Sequence, residues 1–156
     1  MDELGIREVA ADEVTLASDL VRTVFANYVA PGYSAEGVAT FLAYVEPAAI
    51  LQRLAGQSFM LVALVRKRIV GVIEVRDGSH ICLLFVDEAF HKQGIAKRLV
   101  KAALVRAKLL QCGPEKLTVH SSPYAVPVYE RMNFCRSGPE EEKDGIRFVK
   151  MIRILH

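Results

Sequence analysis

The feature that most constrains this chain is the stretch Leu83–Leu99, in which an apolar strand leads through a short polar loop into a helix. The first turn of a helix has unpaired backbone N–H groups and a partial positive charge, and phosphate oxygens satisfy both. Gly94 and Ala96 are small enough to let a pyrophosphate approach the backbone, and Lys92 and Lys97 add positive charge nearby. The stretch therefore predicts an anion cradle, although small residues also occur where a helix start simply packs closely.

The glycine pattern separates this stretch from two other phosphate-binding loops. The third glycine of a dinucleotide-binding fingerprint is missing, and no Gly-Lys-Ser/Thr of a P-loop follows. Six Lys or Arg residues and no acidic residue lie between Ala89 and Pro114, which is typical of a solvated helix face. Binding of nucleic acid through this helix is disfavoured, because the helix has no interleaved aromatic residues and the net charge is only +2.

The remaining patterns predict strands and helices in the order β-α-α-β-β-β-α-β-α-β-β. The predicted strands are Ile6–Val9, Phe59–Val65, Ile69–Val75, Ile81–Val86, Leu117–His120, one starting at Phe134, and Ile146–Ile154. The predicted helices are Asp12–Val29, a stretch capped by Ser34 and broken or kinked by Pro47, Gly94–Cys112 closed by Gly113 and Pro114, and a short helix from Ser121 through Met132. A charged turn is predicted over Glu140–Gly145. The order predicts an α/β (α+β) fold with antiparallel hairpins first and then a crossover that brings in a parallel pair.

Composition limits the cellular setting and the number of domains. The length of 156 residues predicts a single domain, 1–156, and 52% hydrophobic residues suffice for a core. No apolar run is long enough to span a membrane, and the acidic start lacks the pattern of a secretory signal. The three cysteines are far apart and form no CxxC pair, which disfavours a zinc site and favours the cytoplasm.

Two motifs taken together resemble those of the GNAT superfamily of N-acetyltransferases. The segment His91–Ala96 (His-Lys-Gln-Gly-Ile-Ala) is similar to the family's pyrophosphate motif, Gln/Arg-x-x-Gly-x-Gly/Ala. The segment Tyr129–Phe134 (Tyr-Glu-Arg-Met-Asn-Phe) is similar to the family's later motif, Tyr-Glu-x-x-Gly-Phe. The chain departs from the family at His91, where Gln or Arg is usual, at Asn133, where Gly is usual, and at Ser122, where many members have Asn.

The resemblance implies a central twisted mixed sheet of about six to seven strands with helices on both faces, and acetyl-CoA as cosubstrate without a metal. It implies that backbone groups of Leu84, Phe85 and Val86 meet the acetyl and pantetheine amides where two strands splay, and that Tyr129 donates a proton to the departing thiolate. The remaining cofactor contacts that it implies are His91, Lys92, Gln93, Gly94, Ile95, Ala96, Lys97 and Ser122.

A general base is not evident from the pattern. Glu74 lies on the strand before the Asp77-Gly78 turn and is one candidate, while His80 and His120 are others. Each could also be an ordinary polar residue of a strand, and a water relay would need no single base.

The sequence as a whole predicts an N-acetyltransferase that moves the acetyl group of acetyl-CoA to a primary amine by direct attack. The alternative is a non-catalytic acyl-CoA-binding or regulatory module on the same fold. The acceptor is expected to be a small-molecule or protein amine, in a groove shaped by about Phe25–Leu54 and Arg136–Arg147. Neither nucleic acid nor a membrane is expected as a partner, and a homodimer is left open.

Overall fold

A seven-stranded mixed sheet forms the centre of the computed structural model, which describes residues 3–110 and 115–155. Its strands are β1 (Leu4–Glu8), β2 (Ser58–Val65), β3 (Arg68–Arg76), β4 (His80–Val86), β5 (Lys116–Ser121), β6 (Cys135–Lys143) and β7 (Ile146–Ile154). They lie in the order β1-β2-β3-β4-β5-β7-β6. Neighbouring strands are antiparallel except β4 and β5, which are parallel, as the predicted crossover requires.

Five α-helices connect the strands: α1 (Val14–Val24), α2 (Ala35–Tyr44), α3 (Pro47–Leu54), α4 (Ile95–Leu110) and α5 (Val126–Arg131). The predicted second helix is two helices, because Pro47 lacks a backbone N–H and occupies the first position of α3. The predicted end of the long helix at Cys112, Gly113 and Pro114 lies outside the described residues. Within the described part of the chain, no helix is both long and apolar enough to cross a bilayer.

The helices lie on both faces of the sheet and create two apolar cores. One core joins α4 and α5 to residues of β2, β3 and β5 such as Ile73 and Val119. The other joins α1 and α3 to the opposite face of β2, β3 and β4, with Val72 and Leu83 at its centre. Alternation along a strand sends successive side chains to opposite faces, so neighbours such as Val72 and Ile73 enter different cores.

The first helix ends earlier than its apolar repeat predicts. The α-helix stops at Val24, and Phe25–Val29 form a π-helical turn. Because a π turn takes more residues than an α turn, it shifts the following side chains around the helix axis. The four-residue repeat predicts Tyr28 on the apolar face of one long helix. Because Tyr28 lies in the π turn, its position around the helix axis differs from that prediction.

The predicted charged turn at Glu140–Gly145 is wrong for its first four residues. Glu140 to Lys143 continue β6, and only Asp144 and Gly145, both with positive φ, form the turn to β7. The predicted strand starting at Phe134 is found as β6 from Cys135. Its extension over Glu140–Lys143 was not evident, because this edge strand has exposed residues on both faces and therefore lacks apolar alternation.

The tip of this last hairpin is held against α2. The Ser34 side chain caps α2 by accepting a hydrogen bond from the Gly37 N–H at 3.1 Å. The Thr40 hydroxyl donates to the Asp144 carbonyl oxygen at 2.9 Å. A Cβ atom at Gly37 would overlap the carbonyl group of Gly145, so the close approach of helix and hairpin depends on glycine.

Candidate active site

The site is built where β4 and β5 separate. The two strands pair only through His80 with Thr118 and Ile81 with Val119, and then diverge. A cavity of about 690 Å³ opens at this divergence. It is lined by residues from the free part of β4, the start of α4, the segment around α5, and the region from α1 to α2.

The free edge of β4 offers a small number of backbone groups to the cavity. The Asp87 N–H donates to the Val70 carbonyl oxygen at 2.8 Å, so Asp87 turns its polar groups toward β3. Antiparallel pairs alternate between hydrogen-bonded and non-hydrogen-bonded, so Phe85 also turns toward β3, while Leu84 and Val86 turn toward the gap. Of the three residues predicted to offer backbone groups here, Phe85 instead contributes its side chain to the cavity wall.

The predicted anion cradle has the geometry of an open helix start. Gly94 has φ +78°, and a Cβ atom placed on it would meet nothing within 4 Å. The first hydrogen bond of α4 runs from the Arg98 N–H to the Gly94 carbonyl oxygen, so the three preceding N–H groups have no partner inside the helix. The residues of the cradle that line the cavity are Lys92, Gly94, Ile95, Ala96 and Lys97.

Three predicted cofactor contacts make other interactions in this structure. The His91 ring Nε2 bonds the Val86 carbonyl oxygen at 2.7 Å, which fixes the loop to the end of β4. Ser122 Oγ accepts a hydrogen bond from the Ala125 N–H at 3.2 Å, as a turn cap does. Both residues still line the cavity, whereas Gln93 does not and directs its amide toward the Ala89 carbonyl oxygen.

Tyr129 lies in α5 and lines the cavity although only 5% of the residue is exposed. Its ring packs edge-on against Phe134, with centroids 5.3 Å apart. Burial raises the pKa of the phenol well above its usual value, so the hydroxyl stays protonated at neutral pH. Asn133 adopts φ 68° directly after the helix, which confirms that Asn can replace the usual Gly in the turn.

Glu74, a predicted candidate for the base, has a different environment from the one that role requires. Its side chain is completely buried, and its two oxygens accept hydrogen bonds from Arg53 Nε and Nη2, each at 2.8 Å. Arg53 also donates to the Tyr44 carbonyl oxygen at 2.7 Å and lies over the Tyr44 ring at 3.8 Å. Glu74 is not among the described residues that line the cavity. It forms a buried ion pair with Arg53 instead.

Of the two histidine candidates, His120 lines the cavity and His80 lies behind it. Their ring centroids are 4.9 Å apart, and the His120 ring stacks on Phe148 at 4.8 Å. Burial lowers the pKa of His80 to about 4, and its Nδ1 lies 2.8 Å from the Thr118 hydroxyl. Burial also lowers the pKa of His120, so both rings are neutral at pH 7 and can accept a proton.

The structure adds an aromatic wall that the sequence pattern did not predict. It consists of Tyr28, Tyr33 and Phe41 from the α1–α2 region, Phe85 from β4, and Tyr124 before α5. The wall is not evident from the sequence, because aromatic residues at helical spacing are more often part of a core. A π turn often marks a functional segment, but it has no reliable sequence pattern from which it could be predicted.

No cluster of three or more His, Cys, Asp or Glu side chains suited to a metal ion occurs within 3–110 and 115–155. The polar groups at the cavity are instead backbone N–H groups, lysines, an arginine, two histidines, serines, a cysteine and tyrosines. Such a set suits an anionic, amide-containing ligand better than a metal.

Known structures and one family model share this architecture. The crystal structure of a GCN5-related N-acetyltransferase from Rhodopseudomonas palustris superposes with a TM-score of 0.84 at 20% identity, covering 99% of this chain and 98% of that one. PaiA N-acetyltransferase from Thermoplasma acidophilum, in complex with coenzyme A, gives 0.80 at 16% identity and covers 98% and 99%. No curated protein matches the sequence significantly. The model of the acetyltransferase (GNAT) domain matches residues 29–155, and the chain therefore belongs to the GNAT acetyltransferase family.

Proposed function

We propose that this protein is an N-acetyltransferase that transfers the acetyl group of acetyl-CoA directly to a primary amine. The observation that carries the proposal is the cavity where β4 and β5 part. There an unpaired strand edge, an uncapped helix start and a buried tyrosine face one space. An extended, amide-containing molecule with a pyrophosphate at one end matches these three features in turn.

The residues present fit such a molecule. The free N–H groups of Ile95, Ala96 and Lys97 would hold the pyrophosphate, and the open space over Gly94 leaves room for its oxygens. The free edge of β4 would pair with the amides of the pantetheine arm through the backbone groups of Leu84 and the Val86 N–H, since the Val86 carbonyl oxygen is bonded to His91. When bound, acetyl-CoA supplies an activated acyl group on sulfur. The PaiA relative was solved in complex with coenzyme A, which supports the same ligand here.

Three groups of this chain would serve the transfer. The Leu84 N–H points into the gap, where it can stabilise negative charge on a carbonyl oxygen. The neutral ring of His120 can take the proton that the attacking amine must lose. The protonated Tyr129 hydroxyl can give a proton to the sulfur as the carbon–sulfur bond breaks.

The proposal is tested by ligand-dependent melting and by thiol release. Acetyl-CoA and coenzyme A should raise the melting temperature, because ligands that bind only the folded state stabilise it, whereas NAD and ATP should do little. No shift at millimolar acetyl-CoA contradicts the proposal. A shift without release of thiol in the presence of any amine favours instead a non-catalytic acyl-CoA-binding module.

A matched pair of variants locates the binding site. Gly94→Asp and Gly94→Asn introduce side chains of nearly equal size, and both residue types tolerate the positive φ at this position. The carboxylate of Gly94→Asp should repel the phosphates and abolish the shift, while Gly94→Asn should keep part of it. Equal shifts for both variants contradict a pyrophosphate at this helix start.

A further inference from the structure

The cavity has two chemically different sides, because the gap between β4 and β5 connects the two faces of the sheet. The α4 and α5 side holds the uncapped helix start, Lys92, Lys97 and Arg131. The opposite side is formed by the α1–α2 region and carries most of the aromatic wall, to which Tyr124 contributes from the α5 side. If the proposed function is correct, the cofactor takes the first side and the acceptor amine enters from the second.

The aromatic wall consists of two groups of packed rings rather than isolated rings. The Phe41 ring stacks on the buried ring of Phe25 at 4.1 Å and lies 5.8 Å from the Phe85 ring. Tyr33 packs edge-on against the same Phe25 ring at 5.6 Å. The Tyr28 ring lies 5.4 Å from that of Tyr124, which belongs to the other side of the gap. The wall is therefore held in place before any ligand binds.

The lining of the cavity contains no Asp or Glu among the described residues. The Glu88 carboxylate, which is not part of the lining, interacts with the Tyr28 hydroxyl. Two acidic residues of the β6–β7 hairpin pair with cations outside the cavity lining, Glu140 with Arg147 and Glu141 with Lys150. A polyamine or an aminoglycoside would bring several positive charges to a site that already contains two lysines and an arginine.

We infer that the acceptor is an aromatic monoamine, which places its ring against the wall formed by Tyr28, Tyr33, Phe41, Phe85 and Tyr124. This inference rests on the proposed function and specifies its second substrate. A flat ring gains from burial against these side chains and from edge-to-face contact with them. A single amino group can shed its proton to enter, whereas each further ammonium group would be desolvated in a cavity whose described lining contains two lysines and no acidic side chain.

The test compares three primary amines with acetyl-CoA by thiol release. They are 2-phenylethylamine, butylamine without the ring, and spermidine with additional charges. We expect kcat/KM for 2-phenylethylamine to exceed that for each of the others by about 100-fold, as expected for burial of one ring. Equal or higher efficiency with spermidine or butylamine overturns the inference while leaving the acetyltransferase function intact.

Binding of acetyl-CoA, measured by melting temperature in the same samples, separates the two possible failures. Binding without turnover of 2-phenylethylamine overturns the substrate class. Absence of acetyl-CoA binding overturns the proposed function itself, and the inference with it.

A charge-matched pair of variants tests the second half of the argument. Tyr28 is only partly buried, so Tyr28→Glu and Tyr28→Gln should both fold. Both lose the ring, but only Tyr28→Glu adds a carboxylate. We expect Tyr28→Glu to raise kcat/KM for spermidine at least about 10-fold above that of Tyr28→Gln. Equal values for the two variants show that missing negative charge does not exclude polyamines, and they contradict the inference.

Discussion

Replacing Glu74 by Gln should destabilise the protein strongly and should affect catalysis mainly through stability. The change keeps the size of the side chain but removes the charge that faces Arg53. In the parent, two hydrogen bonds of 2.8 Å join the completely buried carboxylate to the guanidinium. In the variant, the guanidinium faces an amide instead of a carboxylate. The amide oxygen can accept a hydrogen bond from the guanidinium, but the amide NH₂ group has no acceptor.

The structure sets the size of the effect. Removing one partner of a buried ion pair costs about 3–5 kcal/mol, because the other charge stays buried without compensation. Arg53 keeps 19% of its side chain exposed and retains its contacts with Tyr44, so we expect the lower end, about 3 kcal/mol. For a domain of this length that corresponds to a loss of about 6–12 °C in melting temperature.

The assay is urea unfolding followed by circular dichroism, together with kcat of the folded fraction. The midpoint should fall without a change in the slope m, since the extent of folding is unchanged. A double variant, Arg53→Met with Glu74→Met, should be more stable than Glu74→Gln, because an apolar pair leaves no buried charge. An unchanged midpoint together with a 10²-fold or larger fall in kcat refutes this reasoning and restores Glu74 as a base.

Three further predictions address other parts of the molecule. Tyr129→Phe should lower kcat by about 10²–10⁴ with little change in acetyl-CoA binding, and unchanged kcat removes the hydroxyl from the reaction. Since the pKa of His80 is about 4 when folded and near 6.5 when unfolded, the unfolded chain binds more protons between these values. The free energy of unfolding should therefore fall from pH 7 to pH 5, by about 1 kcal/mol once solvent screening of this partly exposed ring is taken into account, and an equal fall in His80→Asn contradicts this assignment. Gly37→Ala should cost about 1–3 kcal/mol in urea unfolding because of overlap with Gly145, whereas Gly138→Ala, with nothing within 4 Å, should cost little.

Local chemistry made much of the fold predictable. The strands with apolar or alternating residues and the cradle before α4 follow from patterns only a few residues long. The extension of the edge strand β6 over Glu140–Lys143 did not follow from the pattern, because neither face of this strand is buried enough to require apolar residues. Pro47 predicts a break or kink in the second helix, but the sequence pattern did not show that the two parts are separate helices.

The candidate site was predictable only where a motif carries it. Gly94 and Tyr129 stand at motif positions, and both line the cavity. The partner of Glu74 lies 21 residues away in the chain, so no local pattern could distinguish a buried ion pair from a free base. The aromatic wall is assembled from three separate stretches of the chain by tertiary packing, and it therefore has no signal in any one of them.

The position of β7 has a consequence for how the chain folds. In chain order β7 is the last strand of the described sheet, where it lies between β5 and β6 and is the only neighbour of β6. During synthesis on the ribosome, β5 must therefore present an unpaired edge until residues 146–154 have emerged. Those residues also complete the hairpin against which α2 rests. A chain stalled before this point exposes a sheet edge that invites association with other chains, and a chaperone would be most useful in that interval.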